Sequence, residues 1–353
     1  MRAAVQPVQR PADAKLLVVD ADGRSTHGPR AALADHLSAG DLLVANDAST
    51  LPASLRGTHE PTGREAEVRL AGRRSLAFED VRGFTAVVFG EGDHRIRTED
   101  RPAPPPLSSG DRFLLGPLRA TVRQLLGHPR LVRIGFEGEA ERVWAGIARH
   151  GRPIQYAHMQ PSLALWDVWT SIAARPVAFE PPSAGFLLDW RLLDDLRRRG
   201  VGFATLTHAA GISSTGDPAL DTRLPFDEGY HLPAATVRAM RGTKARGGRV
   251  IALGTTVTRA LEHAASLPGG LVPGYGLADQ RLGPESEIRL VDAVVSGTHE
   301  PGESHHELLQ AFAPAELLEQ LGEELEAHDY RTHEFGDSVL LARQKARVVR
   351  AAA

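Results

Sequence analysis

Hydrophobic and polar positions follow two different rhythms along this chain. Near the amino end the apolar run "KLLVVD" closes on the turn residues "ADG". "RAALADHLSAGD" then carries apolar residues at helical spacing and stops at Gly40, and "LLVAND" reads as a buried strand from Leu42 to Ala45. From about Leu55 to Ile147 the rhythm shortens. "EAEVRLAG", "FTAVVFGEG", "RFLLGPLRATVRQLLG" and "LVRIGFEGE" are short strand-like runs cut by Gly, Pro, Asp and Arg. Such spacing predicts a small barrel or sandwich. Inside it, "RPAPPPLSSGD" (101–111) reads as a surface loop.

After His150 the longer alternation returns. "LLDWRLLDDLRRRG" predicts an amphipathic helix with Gly200 as its stop, and "VGFATLTH" a strand. "PAATVRAMRGTKARGG" is a helix and loop, and "RVIALGTT" and "EIRLVDAVVSGTH" are strands. "SHHELLQAFAPAELLEQLGEELEAHDY" holds one or two helices and "FGDSVLLAR" a last strand. The fold class is therefore α/β. A body with a mostly parallel sheet (1–54 and 148–353) is interrupted by an inserted small all-β barrel domain (55–147). No internal repeat is evident.

Composition narrows the class. The chain has 353 residues, 42% hydrophobic and 24% charged, as soluble globular proteins do. It contains no cysteine, so disulfides and thiolate metal sites are excluded, which fits a reducing cytoplasm. The start of the chain has no uninterrupted apolar stretch of the secretory kind, and no apolar run approaches a membrane span. The formal net charge of −3 gives no bulk support for a nucleic-acid binder. The basic stretches "LRRRG" and "RAMRGTKARGGR" read as solvated helix ends that would touch phosphates only if they lined one face.

Chemistry is concentrated at strand ends. In "RVIALGTTVTRALE", Gly254, Thr255 and Thr256 occupy a strand-to-helix junction, where backbone N–H groups favour anionic or electron-rich ligands. Either threonine could equally be only a helix cap. Arg259, one turn later, could clamp a carboxylate or lie on the surface. Thr207, His208 and Gly211 mark a second strand end, the histidine being an acid/base candidate or a structural residue. Ser183, Ala184 and Gly185 form a small-residue turn that would let a ligand approach the backbone, or an ordinary cap. "SGTHEPGESHHELL" gathers histidines and glutamates but lacks the His-Glu-x-x-His pattern, so it reads as a Pro-Gly loop before a helix rather than a metal site. No Gly-x-Gly-x-x-Gly follows a strand, which disfavours a dinucleotide enzyme, and no Gly-Lys-Ser/Thr marks a P-loop.

Taken in order, "DLLVAND…LPASLRG", "PPSAGF", "TLTHAAG", "RVIALGTTVTRALE", "VDAVVSGTHEPGES…LLQAFA" and "FGDSVLL" resemble the S-adenosylmethionine:tRNA ribosyltransferase-isomerases of queuosine biosynthesis. The likeness spans nearly the whole chain and lies in order and spacing rather than in one motif. It implies an α/β body with an inserted β-barrel. It also implies transfer of the ribosyl part of S-adenosylmethionine to a 7-aminomethyl-7-deazaguanine in tRNA, with adenine and methionine released. On this resemblance His208, His299 and Glu228 would be catalytic. Ser183, Ala184, Gly185, Thr207, Gly211, Gly254, Thr255, Thr256 and Arg259 would hold S-adenosylmethionine, with tRNA as partner, no metal, no membrane and a monomeric protein. The chain departs from the family pattern at Asp47-Ala48-Ser49, where Asn-Thr-Arg is usual, and at Phe186-Leu187-Leu188, where a histidine is lost. It is thus a divergent member. A small-molecule acceptor, simple cleavage of S-adenosylmethionine and a non-catalytic binding role are the alternatives.

Overall fold

A computed structural model describes residues 1–300 and 302–344. Its framework is a nine-stranded sheet in the order Gly274–Ala278, Glu228–Leu232, Gly202–His208, Leu42–Asn46, Val250–Leu253, Ala293–Gly297, Ser338–Ala342, Lys15–Val19, Ser25–Pro29. The centre is parallel, as the alternation predicts: strands 202–208, 42–46, 250–253 and 293–297 run together. Antiparallel partners are added at the flanks, where 228–232 pairs with 202–208 and 338–342 with 293–297. Strands 42–46 and 250–253 at its middle are near-continuous apolar runs because both their faces are covered. Helices Ala234–Ala245, Thr255–Ser266 and Ala315–Ala327 bury one face through Met240, Leu261 and Leu321. The 3-10 segments Arg30–His36 and Ser183–Leu187, with helix Trp190–Arg198, bury the other through Leu33, Leu187 and Leu196.

Two elements differ from the sequence expectation for a visible reason. The run read as a helix after Gly28 is a short 3-10 helix that starts behind Pro29 with no side-chain cap. The strand expected over "EIRLVDAVVSG" is confined to Ala293–Gly297. Upstream, the Glu262 carboxylate accepts the backbone N–H groups of Arg289 (2.7 Å), Leu290 (3.0 Å) and Val291 (2.7 Å), so those residues have no donors left for a ladder.

The inserted region closes into a six-stranded antiparallel barrel formed by Ser54–His59, Arg64–Arg73, Phe84–Phe89, Arg112–Leu115, Leu118–His128 and Leu131–Phe136. Val68, Leu70, Phe84, Phe113 and Phe136 fill its interior. Along strand 64–73 the alternate residues Glu67, Arg69 and Ala71 therefore face outwards. The proline-rich segment 101–111 is not a plain surface loop. Arg101 is buried, pairs with Glu67, and donates to the carbonyls of Gly90 (2.9 Å) and Gly92 (3.0 Å). The barrel meets the body where Ala71, Val87, Phe89 and Leu131 pack against Ile212, Leu220 and Leu224.

Candidate active site

Four parallel strands end on one edge of the sheet, and their carboxyl ends deliver His208, Asn46, Gly254 and Gly297-Thr298-His299 to it. Open α/β sheets offer their ligand crevice on this side. Asn46 ties two of these ends together: its Nδ2 donates to the His208 carbonyl (2.9 Å) and its Oδ1 accepts the His208 N–H (2.9 Å).

His208 is fully buried, and neither ring nitrogen has a hydrogen-bond partner among the described residues. Its Nε2 lies 3.3 Å from Glu228 Oε2. Burial pushes the imidazole down to about 4, Glu228 opposing and Arg259 adding, so it is neutral at pH 7. Glu228 also accepts the N–H of Gly211 and pairs with Arg259 Nη1. Arg259, expected to line the cofactor pocket, is buried. Its remaining donors go to the carbonyls of Gln280 (2.8 Å), Phe226 (3.0 Å) and Ala278 (2.9 Å), so it braces Glu228. Gly211 is needed for close approach: a Cβ there would sit 2.7 Å from the Ala71 carbonyl of the barrel. Thr207 points to the other face, where its hydroxyl and that of Thr205 donate to Asp47 (2.7 and 2.9 Å).

The second cluster forms at helix 255–266. Neither threonine caps it: the N-cap is Gly254, at φ +104°, and no side chain closes the first turn. Its leading N–H groups therefore remain directed towards the strand edge. The turn Ser183-Ala184-Gly185 abuts this point, since a Cβ on Gly254 would lie 3.3 Å from that of Ala184. Thr255 is buried and Thr256 partly so.

His299 Nε2 contacts Ser296 Oγ (3.0 Å), its Nδ1 lies 3.3 Å from Glu303, and its ring stacks on His305 at 4.7 Å. His305 connects the clusters: burial and His299 push it down to about 4, while Glu303, Glu228 and Glu334 oppose. The Pro-Gly turn expected before this helix includes Pro301, which lies outside the described residues. Among the described residues no group of three His, Asp or Glu side chains is arranged to hold a metal.

Sequence reasoning missed a third group. A narrow cleft is lined by Tyr156, His158, Glu180, Pro181, Glu334 and Phe335. Glu180 Oε1 accepts the Tyr156 hydroxyl and Oε2 the N–H of Ser213 (3.0 Å). Glu334 lies 3.2 Å from His158 Nε2, and His158 stacks on His333 at 4.1 Å. The basic stretches lie elsewhere. Arg249 pairs with Asp41 and Lys244 with Asp292, and Arg197, Arg198 and Arg199 pair with Asp194, Asp195 and Asp35. Arg249 and Arg199 stand by the opposite, amino edge of strands 42–46, 250–253 and 202–208.

The family described as "Queuosine biosynthesis protein" matches residues 1–341. The chain belongs to this family. A relative from Pelobacter propionicus named S-adenosylmethionine:tRNA ribosyltransferase-isomerase is 33% identical over 90% of both chains. One of the same name from Geobacter sulfurreducens is 33% identical over 95% of this chain and 94% of its own. A crystal structure of S-adenosylmethionine tRNA ribosyltransferase from Thermotoga maritima shares the fold, with a TM-score of 0.51 and 24% identity over 96% of this chain and 95% of that one. Within the queuosine family frame, the buried His208–Glu228–Arg259 set and the 183–187/254 contact are what this chain assembles at its strand edge.

Proposed function

We propose that this chain is an S-adenosylmethionine:tRNA ribosyltransferase-isomerase. It transfers the ribosyl part of S-adenosylmethionine to the aminomethyl group of 7-aminomethyl-7-deazaguanine in tRNA, isomerises it to the epoxycyclopentanediol of epoxyqueuosine, and releases adenine and methionine. The observation that carries this reading is the relationship along almost the full length to relatives of that name. The site chemistry supports it. Gly254, Thr255 and Thr256 with the turn Ser183-Ala184-Gly185 form a backbone-lined seat in which a side chain at 254 would crowd Ala184. The orphaned nitrogens of His208 offer buried polar atoms to a ligand. In this reading His208, Glu228 and His299 face the reacting ribose, and Arg259 and the Gly211 N–H hold Glu228 in place. The sulfonium draws electrons from C5′ and acidifies its hydrogens, so a nearby base starts the reaction. The protein works as a cytoplasmic monomer with no resident metal.

The test is incubation of the purified protein with S-adenosylmethionine and tRNA carrying 7-aminomethyl-7-deazaguanine. Adenine and methionine should appear together, and nucleoside mass spectrometry should find epoxyqueuosine in the tRNA. Release without tRNA would replace this reading with a small-molecule acceptor or simple cleavage. Binding without release would leave a binding protein.

A further inference from the structure

We propose that Glu180 is the base that removes the C5′ proton of the bound sulfonium nucleoside, positioned by Tyr156 and, from the barrel, by Arg69. The inference rests on the ribosyl-transfer reading above and names the group that starts that reaction. Three carboxylates come together in this region, Glu228 and Glu180 buried and Glu334 partly buried, and two of them have a basic side chain beside them. Glu228 is held by Arg259, and Glu334 by His158. Glu180 is 7% exposed and has no cationic partner among the described residues. Its oxygens accept one neutral donor each, the Tyr156 hydroxyl and the Ser213 N–H. A buried carboxylate without a counter-charge keeps its basicity, whereas an ion-paired one loses it.

Position favours the same residue. Glu180 lies three residues before the Ser183–Leu187 turn that abuts Gly254. Its backbone neighbour Phe179 donates to the carbonyl of Ala210 (2.8 Å), two residues beyond His208. Glu180 thus packs beside the loop 210–213 that leaves the His208 strand end, in the wall of a narrow cleft, and the chain runs from it directly into the seat. The groups that face it are Tyr156, Ser213 and Glu334, with His158 lining the same cleft; Arg69 stands behind Tyr156 and His333 beside Glu334. Burial pushes its carboxyl up to about 7, with Glu334 adding and the Ser213 and Tyr156 hydrogen bonds opposing. That suits a base working near neutrality.

The supports reach into the barrel. The guanidinium of Arg69 lies 5.7 Å from the centre of the Tyr156 ring and 4.8 Å from that of Phe89. Its Nε bonds Glu67 at 2.7 Å, which fixes the plane against which Tyr156 rests. The barrel therefore contributes a positioning residue through one intermediary. In the step itself, the C5′–H bond breaks heterolytically. The proton goes to a Glu180 oxygen, leaving a neutral acid, and the electron pair stays on C5′ as an ylide beside the positive sulfur.

The test uses the full chain with Glu180→Gln, Glu180→Asp and Tyr156→Phe. In D2O with the modified tRNA, wild type should place deuterium at C5′ of recovered S-adenosylmethionine or of product. E180Q should bind S-adenosylmethionine like wild type by calorimetry while losing turnover and C5′ labelling by about 10²–10⁴-fold. E180D should restore part of both. The acid limb of the wild-type kcat/KM profile should fall near pH 7 and move up by about one pH unit in Y156F, because the carboxylate loses a donor. A purely structural role would not move that limb. If E180Q fails to fold by circular dichroism, E180D and the Y156F profile decide. Turnover by E180Q within about tenfold of wild type, or an unmoved limb in Y156F, overturns the proposal and leaves the function standing. Wild type that neither turns over nor labels C5′ overturns both.

Discussion

Replacing Glu180 with glutamine should stabilise the protein at alkaline pH and leave it unchanged at acid pH. The carboxyl titrates at 4.5 in water and at about 7 in its buried position. Below about pH 4.5 it is protonated whether the chain is folded or not, and the site costs nothing. As pH rises towards 7 the unfolded chain releases the proton and the fold resists, so the stability present in acid is lost. The gap corresponds to about 3 kcal/mol, complete above pH 7. Glutamine fills the same space, still accepts from Ser213, and never ionises. Urea unfolding of wild type and E180Q at pH 5 and pH 8 measures the difference, and all other titrating groups cancel between the two proteins. The variant should gain most of that amount at pH 8 and little at pH 5. A variant equal to or weaker than wild type at pH 8 would show that the ionised carboxylate is a favourable part of the fold, and the reasoning about its basicity would fall with it.

Two further substitutions probe the site's scaffold. Arg259→Met removes the partner of Glu228 and the donor to three carbonyls; it should cost about 3–5 kcal/mol in urea unfolding, and adding Glu228→Gln should recover part of the loss. Gly254→Ala puts a Cβ on a residue at φ +104° and 3.3 Å from Ala184; it should destabilise by about 1–3 kcal/mol and weaken S-adenosylmethionine binding measured by calorimetry.

Much of this fold was legible because burial leaves a rhythm in the chain. Two-sided coverage makes Val250–Leu253 a solid apolar run, and the barrel's single inward face makes strand Arg64–Arg73 alternate. Side-chain commitments were less legible, because they depend on partners far away. Arg259 could be placed at a ligand junction, but Glu228 comes from a strand three ladders away across the sheet. Thr255 and Thr256 resembled caps; the N-cap is instead Gly254 at φ +104°, a backbone geometry invisible in composition. Glu180 carried no signal of its own, since what distinguishes it is the absence of a cationic partner among the described residues and the presence of Tyr156 and Ser213, 24 residues before it and 33 after it. Arg101 was hidden by the prolines that follow it, although its target Glu67 lies in the same barrel.

The barrel departs from the body between two strands that are hydrogen-bonded neighbours, Leu42–Asn46 and Gly202–His208. Joining them across so long an excursion costs about 4–5 kcal/mol of chain entropy if the excursion is a random coil. A barrel that has already closed shortens the effective tether, so its assembly should come before the central ladder zips. Renaturation would then proceed in order, insert first and sheet second, and the strand edge that carries His208 would be among the last parts to form.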